Sequence, residues 1–145
     1  MPPGPPRARL DATGGGSDHR TMPYVMIAIG GAAGAVTRYV VDGLIADRVS
    51  GAFPWGTLVI NLSGAALLGL LFALATERGV LPGSIRGPLM IGFLGAYTTF
   101  STLMLESWRL WEDGAGGLAL ANAFGSVVLG LAAVFLGLTI GRALA

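Results

Sequence analysis

Few residues in this 145-residue chain can do chemistry, and most of those are uncharged donors set among apolar neighbours. The densest run is Thr98-Thr99-Phe100-Ser101-Thr102, with Asn61, Asn122, Ser126, Arg38 and Glu106 standing more singly. Hydroxyls and primary amides can replace water around an ion, but they cannot by themselves activate a nucleophile. Cysteine is absent, and the single histidine, His19, lies near the N-terminus. With no nucleophile–base pair and no metal-ligating cluster, the chain is not expected to be an enzyme.

Helical spacing groups these residues, because positions four apart share a face. Thr98, Thr102 and Glu106 make one stripe, about 12 Å deep if the helix is continuous. Thr57 and Asn61 make a second, Asn122, Ser126 and Gly130 a third, and Gly30, Gly34 and Arg38 a fourth. Two readings stay open. Small residues and hydroxyls let helices approach and bond to one another, which is the role expected of Gly30, Gly34, Gly64, Gly69, Gly130, Gly137 and Gly141. Alternatively, polar residues at membrane depth are costly and mark a path for ions; Asn61, Arg38 and Glu106 are the candidates. Arg38 and Glu106 lie close enough to segment ends to reach water.

The elements that must position these residues are membrane helices. Hydrophobic residues make up 53% of the chain and charged residues only 12%, about half the share needed to cover a soluble domain. Four stretches approach the roughly 20 apolar residues that span a bilayer: about 24–41, 56–76, 89–108 and 117–140. Trp55, Trp108 and Trp111 fall near their ends, where amphipathic rings favour the interface. Residues 1–21, rich in Pro and Gly, read as a disordered N-terminal tail, and 22–145 as one transmembrane domain. All nine basic residues are arginine, and no basic run points to nucleic acid. Arg20, Arg78, Arg86 and Arg142 fall on one side of four spans, and Arg38, Arg48 and Arg109 on the other. That is a weak positive-inside bias, compatible with insertion in either orientation.

The third span holds a local conflict. Gly92 and Gly95 weaken a helix, and Thr98 and Thr99 offer competing hydrogen bonds. A break there would free backbone carbonyls, which a bilayer tolerates only if something, such as a buried cation, satisfies them. An unbroken helix, packed closely at Gly92 and Gly95, is the other reading of the same residues.

Residues 30–39 (GGAAGAVTRY), 56–64 (GTLVINLSG) and 92–102 (GFLGAYTTFST) together resemble the Fluc family of fluoride channels, also called CrcB proteins; 122–130 matches more loosely. The resemblance covers all four spans. It implies an all-α membrane protein with four transmembrane helices, the third broken near its middle, that assembles as an antiparallel, dual-topology dimer. It implies a passive, fluoride-selective channel in the cell membrane that lowers cytoplasmic fluoride. It further implies a structural, untransported sodium ion at the dimer centre, held by the backbone carbonyls of Gly95 and Thr98. The anion pore it implies uses Asn61 as an N–H donor, the ring edge of Phe100, the hydroxyls of Ser101 and Thr102, Arg38, Glu106 and Ser126. The chain departs from the family at Leu103, where a second phenylalanine is usual. The second subunit is then either an identical chain or a paralogue that supplies the missing ring.

Two other functions fit a small four-helix protein. A small multidrug resistance-type, proton-coupled exporter needs a membrane-embedded carboxylate in its first helix, and 24–41 has none. A non-transporting membrane assembly protein would use the polar stripes only for packing.

Overall fold

The computed structural model describes residues 18–144, so most of the expected tail lies outside the described residues. Helix α1 (Asp18–Ala46) is longer at both ends than its apolar stretch. It carries Asp42, which falls beyond the expected end of the span, into the same helix face as Arg38. Arg48 closes the end by donating from Nη1 to the carbonyl of Leu44 at 2.9 Å, a basic residue meeting the negative end of the helix.

Helix α2 (Trp55–Glu77) begins just after Pro54. Its last turn, Ala73–Glu77, widens into a π-helical turn before Gly79, whose φ of +69° reverses the chain. Helix α3 (83–97) is π-helical over Gly87–Leu94. Pro88 sits in that stretch; it lacks an N–H, and its ring would crowd the carbonyl four residues back in a tight α-turn. Helix α4 (Phe100–Glu112) is a separate α-helix, and Gly114, with φ +77°, turns the chain into α5 (Gly116–Leu144). Four helical segments, with α3 and α4 together forming the third, are long and apolar enough to cross a membrane. The large apolar side chains face outward, as a lipid solvent requires: Tyr39 is 82% exposed and Leu131 68%.

Two helix pairs make the bundle. Helices α1 and α3 cross at glycines: a Cβ on Gly30 would run into the carbonyl of Pro88, and one on Gly34 into that of Phe93. Helices α2 and α5 cross the same way, with Gly69 against the carbonyl of Val134 and Gly137 against that of Ala66. A Cβ on Gly141 would stand 2.8 Å from the carbonyl oxygen of Leu70. Ile60, Leu94 and Tyr97 form the buried centre where the pairs meet. The Tyr97 ring stacks on Phe93, with centroids 5.9 Å apart, and its hydroxyl lies 2.9 Å from Ser63 Oγ.

Two expectations need correction. Gly130 is no packing glycine within the subunit, because nothing lies within 4 Å of its would-be Cβ. Thr98 does not share a helix face with Thr102 and Glu106 either. It lies after α3 with φ −78° and ψ 156°, outside any helix, whereas the other two are in α4.

Candidate functional site

The site is built around the two residues between α3 and α4. Thr98 and Thr99 are both extended, Thr99 with φ −149° and ψ 114°. In an unbroken helix the amide of Thr99 would bond to the carbonyl of Gly95, and that of Thr102 to the carbonyl of Thr98. Here Thr99 N–H donates instead to Oδ1 of Asn61 at 2.8 Å, and Asn61 Nδ2 donates to the Thr99 carbonyl at 3.0 Å. The Thr102 amide donates to Thr99 Oγ1 at 3.3 Å, so Thr99 is the N-cap of α4. The carbonyls of Gly95 and Thr98 therefore lose their helical partners.

Helix α2 holds this region through a ladder. One turn before Asn61, Thr57 donates its hydroxyl to Glu106 Oε1 at 2.8 Å. One turn after it, Gly64 leaves room for the Thr98 methyl group and the Tyr97 ring. The lower rung is buried: Thr57 is 3% exposed, and Glu106 Oε2 is shut from solvent with no partner. Thr57→Val keeps the shape but strips Glu106 of the one donor it has among the described residues. It is expected to lower stability by about 1–3 kcal/mol, read by thermal unfolding in detergent.

Two cavities flank the ladder. The first, about 420 Å³, is lined by Asn61, Gly95, Thr98, Phe100, Ser126 and Gly130, among others. Phe100 is 70% exposed there, and the Ser126 hydroxyl is buried without a partner. Leu103, at the position of the second phenylalanine, also lines it. The second cavity, about 330 Å³, is lined by Arg38, Tyr39, Asp42, Thr57, Thr99 and Thr102. Thr99 borders both cavities, and its hydroxyl donates to Thr102 Oγ1 at 2.9 Å. Thr102 thus keeps its own hydroxyl proton for the second cavity.

The structure gathers the expected residues unevenly. Asn61, Phe100 and Ser126 share the first cavity with Gly95 and Thr98, and Arg38 and Thr102 share the second. Ser101 is exposed and lines neither; its hydroxyl stands 3.5 Å from that of Thr99. Glu106 reaches the second cavity only through Thr57. Asn122 is fully buried and donates to Ser107 Oγ at 3.0 Å, tying α5 to α4. Two participants were missed. Thr99 could have been found as a threonine directly before a helical run, the usual N-cap signal. Asp42 follows Arg38 by one helical turn, but only an α1 that continues past Val41 puts the two on one face.

Comparison with known proteins gives the family. A family model described as CrcB-like protein, Camphor Resistance (CrcB), matches residues 25–138. The chain belongs to the CrcB family. A CrcB relative from Magnetococcus marinus, named fluoride-specific ion channel FluC, is 46% identical over 121 residues, which cover 83% of this chain and 98% of the relative. One from Mycolicibacterium paratuberculosis, named fluoride-specific ion channel FluC 2, is 53% identical over 116 residues, covering 79% and 89%. A third, from Thermus thermophilus and named as the first, is 44% identical over 121 residues, covering 83% and 96%. These CrcB proteins are named as channels, a class that moves ions without converting them, and the chain is not an enzyme. Four apolar helices make it a multi-pass membrane protein.

Proposed function

We propose that the chain is one subunit of a passive, fluoride-selective channel in the cell membrane that exports fluoride and lowers its cytoplasmic concentration. The observation that carries this reading is the interrupted third span braced by Asn61, with an exposed phenylalanine at the first turn of α4. A ring edge carries partial positive charge and can face an anion. Asn61 keeps one N–H beyond the bond to Thr99, and Ser126 has an unpartnered hydroxyl on the same cavity. Together these are fixed donors that replace an anion's water shell. Thr102, Ser101 and Glu106 continue the polar surface on α4, and Arg38 raises the anion concentration near a mouth. The names carried by the relatives support fluoride as the ion. They also weigh against the exporter and the assembly protein.

The channel is a dimer in this reading. The first cavity is an open groove, and Gly95, Thr98 and Phe100 on its wall need a second subunit to close it. The near-balance of arginines across the four spans suits antiparallel, dual-topology packing. The partner is an identical chain or a paralogue, and Leu103 favours a partner that brings a second ring.

A structural sodium ion fits the residues present. Among the described residues no group of three or more His, Cys, Asp or Glu could hold a metal, so backbone oxygens are the donors to consider. The carbonyls of Gly95 and Thr98 have lost their helical partners and border the groove. A hard cation takes oxygen donors and would repay carbonyls left bare at membrane depth.

Fluoride efflux from liposomes holding the purified chain tests the reading. Efflux from the chain alone supports a homodimer; silence that a co-reconstituted paralogue cures supports a heterodimer. Replacing sodium by a bulky organic cation on both sides is expected to lower the flux. No fluoride efflux under either composition overturns the proposal.

A further inference from the structure

The second cavity contains a charge that an anion path does not call for. Asp42 follows Arg38 by one turn of α1, and both line the same space, about 330 Å³, with Thr57, Thr99 and Thr102. Asp42 lies one helical turn nearer the C-terminal end of α1 than Arg38. The carboxylate has a defined seat: a Cβ on Gly56, the second residue of α2, would collide with Asp42 Oδ1. A further carboxyl group, that of Glu106, accepts from Thr57 on the cavity wall. No ion pair joins Arg38 to Asp42 among the described residues, so each acts on the cavity as a separate charge.

We propose that Asp42 is a specificity-determining residue of the cavity mouth, a fixed negative charge that offsets Arg38 and lowers anion occupancy in the vestibule. This rests on the channel reading only in taking the cavity as part of the ion path. Arg38 alone would concentrate every anion in the surrounding solution. A carboxylate one turn from it weakens that attraction. The opposing potential acts twice on a divalent anion, so phosphate-like ions are held back more strongly than fluoride. The seat against Gly56 also places the carboxylate at the positive end of α2, which is a purely structural use of the same group. The two uses differ in one respect: only the charge role changes the potential felt by ions in the cavity.

The chain has no cysteine of its own, so one introduced on the cavity wall reports that potential directly. Ala35→Cys lines the cavity and is none of the polar residues discussed above. In the full-length protein, its rates of modification by an anionic and by a cationic methanethiosulfonate reagent of similar size are measured from the mass shift. Adding Asp42→Asn, which keeps the side chain's shape, is expected to raise the anionic rate about three-fold and lower the cationic rate about three-fold. The ratio of the two then moves by about ten-fold at low salt and by far less at about 1 M salt, where surface charge is screened. Asp42→Glu is expected to hold the wild-type ratio. If Ala35→Cys does not fold, Tyr39→Cys on the same wall replaces it. An unchanged ratio in Asp42→Asn overturns the proposal, and so does a cysteine that neither reagent reaches. Fluoride efflux is measured separately. A shifted ratio in a protein that passes no fluoride leaves the role of Asp42 standing and sinks the fluoride reading alone.

Discussion

Asn61→Asp is expected to reduce fluoride efflux from liposomes at least about 100-fold, a size typical of adding a like charge to a narrow, poorly solvated path. The change is one atom, an amide nitrogen for an oxygen. That atom donates to the Thr99 carbonyl at 3.0 Å, and the other side-chain atom accepts from the Thr99 amide at 2.8 Å. In the aspartate, two oxygens face each other where a donor met an acceptor. The carbonyl loses its partner, and the extended geometry at Thr98 and Thr99 loses the brace that maintains it. The carboxylate also brings a negative charge to the cavity lined by Phe100 and Ser126. The stability cost of the lost bond is about 1–3 kcal/mol, small enough for the protein to be purified and reconstituted. Flux and thermal unfolding are measured on the same preparation. A folded Asn61→Asp protein conducting at the wild-type rate removes Asn61 from the ion path.

Gly137→Val is expected to prevent the native fold from forming, with a loss above about 3 kcal/mol, the upper range for overpacking a tight contact. The first added carbon would overlap the carbonyl of Ala66 and come within 2.9 Å of the Leu70 amide nitrogen. These are backbone atoms, so no rotamer change makes room and α2 and α5 must move apart. Helix α2 also carries Thr57 and Asn61, so the ladder to the third span fails with the crossing. Gel filtration in detergent is expected to show aggregate in place of one sharp peak. Gly130→Ala is the contrast on the same helix: its new methyl meets nothing within 4 Å, and the subunit's fold is expected to survive. A monodisperse Gly137→Val protein with wild-type thermal stability refutes this account of the α2–α5 crossing.

Much of the fold was legible because a bilayer is a demanding solvent. Four apolar stretches, few charges and tryptophans at the ends leave little choice but four spanning helices. Five of the seven glycines assigned to packing, Gly30, Gly34, Gly69, Gly137 and Gly141, sit against another helix's backbone, and Gly64 sits against the side chains of Tyr97 and Thr98. Gly130 did not follow, because a small residue has the same spacing whether it faces a helix or an open groove. The helix ends were less legible. Asp42 lies beyond the apolar stretch, and hydropathy cannot show that backbone hydrogen bonding carries α1 on to Ala46.

Hydropathy and residue content were enough to establish the solvent, the number of spans and the residue types available: hydroxyls, one amide in α2 and a phenylalanine, with no thiol and no membrane-buried imidazole. These follow from composition and local period, which need no partner in space. The arrangement of the polar run in the third span came from contacts between helices. On paper Thr98, Thr102 and Glu106, four apart, read as one stripe. In the fold, Asn61, 38 residues before Thr99, takes both backbone groups of Thr99 and leaves the carbonyls of Gly95 and Thr98 without their helical amides. It also divides the polar residues between two cavities. A helix with Gly and Thr at its centre is balanced closely between continuing and breaking, and a pair of hydrogen bonds from a distant helix, in a medium without water, tips the balance.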